Sequence, residues 1–241
     1  MPYEAQPFQN RIINYLNKKK IKSVGYIHSP PQALPINFIK KTNSPSDLFL
    51  NSKDQKNCFI KLGWKKNQLH LAESTRFLNN KKNFSNKIFL PISIKSFDVI
   101  LNSLNFLFLN SNLNNQMFKI QNHPTTGRSF LHLRLIKEIN NLLVRNKKQN
   151  NLKFSKYEFK NCSIFIGATG AIAEALERGV EVVHICEIPA MDMYNNFFWK
   201  NLIVSRVSKN IFIYKIKKKS DMIILGKKPR NLNLYFNNLN N

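Results

Sequence analysis

The stretch Ser163–Glu187, SIFIGATGAIAEALERGVEVVHICE, constrains the fold more than any other part of the chain. Ser163–Gly167 reads as a buried strand, and the small residues Gly167-Ala168-Thr169-Gly170 turn it directly into a helix, Thr169–Arg178, that Gly179 ends. Val180–Cys186 is the next strand. A strand, a crossover helix and a second strand in such quick succession predict parallel neighbours in one sheet. The helix start presents free backbone N–H groups and a positive dipole end beside residues too small to hold a ligand away, so it is a candidate anion site. A packed turn without a ligand is the competing reading. The glycines do not read GxGxxG, and no Gly-Lys-Ser/Thr follows, so neither a dinucleotide fingerprint nor a P-loop is present.

The same alternation runs through the rest of the chain. A helix over Ile12–Lys20, strands at Ser23–His28, Asp47–Asn51 and Gln68–Ala72, and a helix over Ser52–Leu62 stopped by Gly63 form a first block. Polar, basic residues 79–86 mark a boundary. Beyond it come strands at Lys87–Pro91 and Gln116–Gln121, helices over Ser96–Leu109 and Ser129–Val144, and a short stretch Leu152–Phe154 with strand character. The expected fold class is α/β with a parallel sheet. Its domains are 1–80, 81–214 and a basic, poorly patterned arm over 215–241 expected on the surface.

A second chemical signal is Asn122-His123-Pro124-Thr125-Thr126-Gly127-Arg128, which follows a predicted strand. Ligands of open parallel sheets bind at the carboxyl ends of strands, where His123, Pro124 and Thr125 would lie. A histidine merely satisfied in its loop is the alternative. The pairing with a second strand end at Gly167–Gly170, about 45 residues later, turns two weak signals into one candidate site.

Composition limits the classes. Hydrophobic residues make up 43% of the 241, enough for a packed core and too many for a disordered chain. Lys and Arg number 38 against 13 Asp and Glu, a net charge of 38 − 13 = +25. Such a surface attracts polyanions: nucleic acid, anionic lipid headgroups or sugar nucleotides. The abundance of Lys, Asn, Ile and Phe is also what an AT-rich genome produces at permissive positions. Cys58, Cys162 and Cys186 are widely spaced and form no CxxC, so they are expected to be reduced packing residues. No apolar run reaches the length of a membrane span, and the start has no leader-like pattern, so a cytoplasmic chain is expected.

Residues 87–207 resemble the donor-binding domain of GT-B glycosyltransferases. His123-Pro124 with Gly167-Ala168-Thr169-Gly170 is similar to the His-Pro and Ser-Ser/Thr motif pair of bacterial sialyl-, polysialyl- and capsule-type Kdo transferases, which bind CMP-sugars. Thr169 stands alone where two hydroxyls are usual. Residues 3–78 resemble the end of the first domain of such surface-carbohydrate enzymes through Tyr3-Glu4-Ala5-Gln6-Pro7, Gly25-Tyr26-Ile27-His28-Ser29, Pro45–Gly63 with Asp47 and Gln55, Gly63-Trp64 and Ser74-Thr75-Arg76. A complete enzyme of that type has a large acceptor domain before Tyr3, so the resemblance implies a shortened chain or one whose missing half is a separate chain.

The resemblance implies a transferase, without a cofactor, that moves a sugar from a nucleotide-sugar, CMP-linked first, to a surface polysaccharide or lipid-linked glycan, and the lack of an Asp-x-Asp motif makes metal-independent transfer the expectation. Glu4 is the implied general base, against an exposed terminal Glu. His28 contacts donor or acceptor, or caps its loop; Arg76 neutralises phosphate, or is a surface Arg. Glu187 would meet the nucleotide ribose. Two other classes stay open: a basic nucleic-acid-binding protein, although aromatics are not interleaved with Arg, and a non-catalytic GT-B-like subunit. The Lys215–Lys219 cluster adds an expected peripheral contact with the anionic inner leaflet.

Overall fold

A computed structural model describes residues 2–3, 5–28, 35–80, 82–115, 117–123, 129–148, 156–196, 198–219 and 221–227. Among them the chain forms two units. One takes the chain up to Lys82, Asn196–Asn201 and the stretch from Lys217 onward; the other takes Asn83–Asn195 and Leu202–Ile216. Both are α/β.

The first unit is built on three parallel strands, β1 (Val24–Tyr26), β2 (Asp47–Leu50) and β3 (Leu69–Leu71), in that order. Helix α1 (Pro7–Lys18) begins earlier than periodicity indicates, because Pro7 pre-sets the first turn and Gln9 reaches back to the Gln6 N–H. Helix α2 (Lys53–Lys61) is capped as expected. The Ser52 hydroxyl accepts from the Gln55 N–H at 3.1 Å and donates to the Asp221 carbonyl at 2.5 Å. Gly63, at φ +88°, ends that helical turn and delivers Trp64 into the core, where its indole N–H donates to the Phe38 carbonyl at 2.7 Å. Tyr3, Ile13, Ile27, Phe38, Leu48, Leu50, Phe59 and Leu69 complete that core.

The arm expected over 215–241 is divided. Lys215 and Ile216 end a strand of the second unit, and 217–227 pack on the first, except Ser220, which lies outside the described residues, as does the rest of the arm. Asn201 donates from its backbone and side chain to Asp54, at 3.1 and 3.3 Å, and from its side chain to Asp221 at 2.6 Å. Ile224 donates to the Asn51 carbonyl, and Gly226 to that of Phe77. The lysines that suggest a solvated tail are followed by the buried trio Asp221, Met222 and Ile223.

The second unit carries six strands in the order β5-β4-β6-β7-β9-β8. They are β4 (Lys87–Phe89), β5 (Lys119–Gln121), β6 (Cys162–Ile166), β7 (Glu181–Ile185), β8 (Leu202–Arg206) and β9 (Ile211–Ile216). The first four run parallel, as expected. The sheet is mixed rather than wholly parallel, because β9 pairs antiparallel with both β7 and β8. A tight 207–210 connection makes β8 and β9 a hairpin. Every residue of β6 is buried, as a central parallel strand with both faces covered requires. Helices α3 (Phe97–Asn110) and α4 (Phe130–Lys148) cover one face through Ile100, Leu104, Phe108, Leu135 and Ile139, which meet Ile88, Ile164 and Val183. The other face presents Phe89 stacked on Phe165, ring centroids 4.3 Å apart, and the short helix α5 (Ala171–Glu177) packs against β7 and β9. Leu152–Phe154 lies outside the described residues. No helix among the described residues is long and apolar enough to cross a membrane.

The return of the chain to the first unit is tested at Gly226. A Cβ there would collide with the Ser74 carbonyl oxygen, a backbone atom that cannot swing away. Gly226→Ala should cost about 1–3 kcal/mol in urea unfolding; an unchanged midpoint would show that 217–227 contribute nothing to that unit.

Candidate functional site

The strand order of the second unit fixes where a ligand would enter. After β4 the chain builds β5 on one side and β6 on the other, so the loops that follow β4 and β6 lead away from each other at their carboxyl ends. Phe89 is level with both Gln121 and Phe165. Pro91 and Gly167 follow β4 and β6 side by side, and His123 comes two residues after β5, on the other side of β4. The strands expected before these residues, β5 and β6, flank β4 in one sheet. Pro124 and Thr125 lie outside the described residues.

Gly167 takes φ +69°, and a Cβ there would come within 3.1 Å of the Pro91 Cβ, so the position needs glycine for conformation and for space. A buried polar chain then holds the turn. His184 on β7 reaches the Gly167 carbonyl through Nε2 at 2.8 Å. A carbonyl can only accept, so Nε2 carries the proton and Nδ1 accepts from the Tyr214 hydroxyl at 3.2 Å. That hydroxyl accepts in turn from the Tyr194 N–H at 3.1 Å, and the Tyr194 hydroxyl donates to the Thr169 carbonyl at 3.1 Å. The Thr169 hydroxyl accepts from the Ala171 N–H at 3.3 Å, at the start of α5. Ala168, Thr169 and Gly170 are half-buried.

Glu187 serves as a clamp. Its Oε2 accepts from the Lys95 and Ser96 N–H groups at 2.6 and 2.5 Å, tying the end of β7 to the entry of α3. Ser96 precedes α3 at the N-cap position, yet its side chain makes no capping bond; Glu187 takes over from a distant strand. Asp192 reinforces the join, meeting Lys95 Nζ at 3.3 Å and the Ile188 N–H at 3.0 Å. Burial raises the Glu187 carboxyl above its ordinary value, against the two N–H bonds that lower it. Its Oε1 is buried, has no hydrogen-bond partner, and lies 3.6 Å from where a Gly167 Cβ would be. On the α3 side, His132 bridges Ser129 and the Pro91 carbonyl at 2.8 and 2.9 Å. The sequence gives no strand-end signal for His132, His184, Tyr194 or Tyr214.

The remaining expected residues belong to the first unit. His28 follows β1 with its ring edge-on to Tyr26, and Arg76 is exposed over the Phe77 ring. Glu4 lies outside the described residues. A cavity of about 10 Å³ at the carboxyl ends of β1–β3 offers room for no more than a water. Larger is a cleft of about 390 Å³ against α1, lined by Arg11, Lys41, Asn14, Asn37 and Asn43, which no motif marks. Cys58, Cys162 and Cys186 are buried and unbridged; burial pushes the first two thiols up to about 11 and about 12, which makes them inert packing groups.

The clasp on Gly167 has a pH signature. Complete burial lowers the His184 pKa from 6.5 to about 4, against the Gly167 carbonyl and Asp192, which raise it. The unfolded chain takes up a proton below about 6.5 that the folded unit refuses until about 4. The stability is therefore whole above that window and falls by roughly 3 kcal/mol across it. His184→Gln keeps an N–H donor and cannot titrate. Urea midpoints measured from pH 7 to pH 4 should fall less steeply in the variant; equal slopes would remove His184 from this role.

No protein-family model matches the chain, and no curated protein or solved structure matches it significantly.

Proposed function

We propose that the chain is a metal-independent glycosyltransferase of GT-B type whose second unit binds a nucleotide-sugar, CMP-linked first. The observation that carries this reading is the reversal of strand order at β4, with β5 before His123 on one side and β6 before Gly167 on the other, and the Gly167–Gly170 turn bonded from beneath by His184 and Tyr194. A turn held in that way presents its backbone N–H groups in a fixed direction, which is what stabilising charge on a departing nucleotide phosphate demands. In this reading the turn and His123 take the phosphate. Oε1 of Glu187 is the atom left to meet a ribose hydroxyl.

Glu4 and His28 are assigned to the acceptor. The acceptor hydroxyl gives its proton to the Glu4 carboxylate as its oxygen attacks the anomeric carbon, and the nucleotide leaves with the bonding pair. Surface polysaccharide or a lipid-linked glycan is the acceptor class, and the expected place of action is the cytoplasmic face of the inner membrane.

Calorimetry of the full chain with CMP, UDP and GDP tests the donor site. CMP should bind at sub-millimolar concentration, and Thr169→Val and His123→Ala should each weaken it by about tenfold, the size of one charge-assisted hydrogen bond. Failure of all three nucleotides to bind at millimolar concentration would remove the reading.

A further inference from the structure

Helix α1 is turned inside out. At 3.6 residues per turn Phe8, Ile12 and Tyr15 fall within an arc of about 60°. They are 60%, 47% and 61% exposed. The side facing the core is polar instead. Gln9 is buried, donating to the Pro2 carbonyl at 2.9 Å; Asn10 donates to the Ala5 carbonyl at 3.2 Å and accepts from the Tyr3 hydroxyl at 3.3 Å; Asn17 donates to the Thr42 carbonyl at 2.7 Å. Of the large apolar side chains, Ile13 alone is fully buried. A helix packed only to stabilise its own unit would place Phe8, Ile12 and Tyr15 inward. Here the inward amides are all engaged, so the helix cannot roll over without breaking them.

Charge identifies what covers the apolar stripe. From residue 5 to residue 46 the sequence contains seven Lys or Arg and no Asp or Glu. Arg11 and Lys18 border one side of the stripe, Lys19 continues it, and Lys20 and exposed Ile21 follow. Beside it opens the cleft of about 390 Å³ that Arg11 and Lys41 share with Asn14, Asn37 and Asn43. No hydrogen bond or ion pair occupies the side chains of these five residues among the described ones. Aromatic and aliphatic side chains on a helix bordered by cations on one side and at its end are the composition of a helix lying in a membrane interface.

We propose that α1 docks the first unit onto an anionic lipid leaflet, with Phe8, Ile12 and Tyr15 at the acyl boundary and a lipid phosphate in the Arg11/Lys41 cleft. This contact is separate from the Lys215–Lys219 cluster, whose Lys215 is engaged with Glu181 at 2.7 Å. It is also independent of the donor reading, since it needs neither nucleotide nor catalysis.

Flotation of the full chain with phosphatidylcholine vesicles, with and without phosphatidylglycerol, tests it. Binding should require phosphatidylglycerol, weaken in high salt, and fall by about tenfold both in F8S/I12S/Y15S and in R11Q/K41Q, with CMP binding untouched. Tyr15→Trp should show an emission shift to the blue on anionic vesicles. Equal flotation with both vesicle types, none with either, or wild-type binding by the serine variant overturns the proposal. So does unshifted emission from vesicle-bound Tyr15→Trp. Self-association of the wild type that the serine variant abolishes, without vesicle binding, would instead assign the stripe to a second copy.

Discussion

The hydrogen bond from His184 to the Gly167 carbonyl is the constraint around which the second unit is arranged. It is made at full burial by a neutral imidazole, so one tautomer is required, and that tautomer dictates the direction of every bond beyond it through Tyr214 to the Tyr194 N–H. The antiparallel strand β9 exists next to β7 in a register that sets Phe212 opposite His184 and Tyr214 opposite Val182. The Tyr214 ring thereby lies 5.6 Å from the histidine ring, centroid to centroid. The Gly167–Gly170 turn is thus held from below by side chains as well as by its own Gly167 and Thr169.

The same economy of placement appears at Glu187. A carboxylate that sequence reading assigns to a ligand is engaged by the Lys95 and Ser96 N–H groups, and this bond joins β7 to the β4–α3 connection across β6. One oxygen holds the loop, and the other is left unsatisfied in a buried position beside Gly167. A buried acceptor without a donor is costly, and burial raises the proton affinity of this carboxyl against the two N–H bonds that lower it. In the first unit, polar satisfaction overrides hydrophobic placement: the amides of α1 turn inward to cap Pro2, Ala5 and Thr42, and the apolar stripe is left outside.

Strands and helices were legible wherever period and punctuation agreed. Ser52 before α2, Gly63 after it, and the Ser163–Glu187 βαβ unit all lie where their residues indicate, because each rests on local backbone chemistry. The hairpin of β8 and β9 was not legible. Its residues sit among lysines, and its stability comes from pairing with β7, a contact that composition does not announce. The strand ends His123 and Gly167 were legible as a pair through the position of each at the end of an apolar run. His184, Tyr194 and Tyr214 were not, since an apolar strand such as VEVVHIC gives no sign of which neighbour its histidine will meet. The cleft of Arg11 and Lys41 was hidden for the same reason: its lining comes from two segments brought together only by the fold.

The claim at the centre of this account is that the carboxyl edge of β4, β5 and β6 is the ligand-binding edge of the molecule. A crystal structure of the chain with bound CMP tests it most directly. The phosphate should lie within hydrogen-bond distance of the Ala168–Gly170 backbone and of the His123 ring, with the Gly167 carbonyl still held by His184. CMP seated in the Arg11/Lys41 cleft, or anywhere away from the loops that follow β4, β5 and β6, would contradict it.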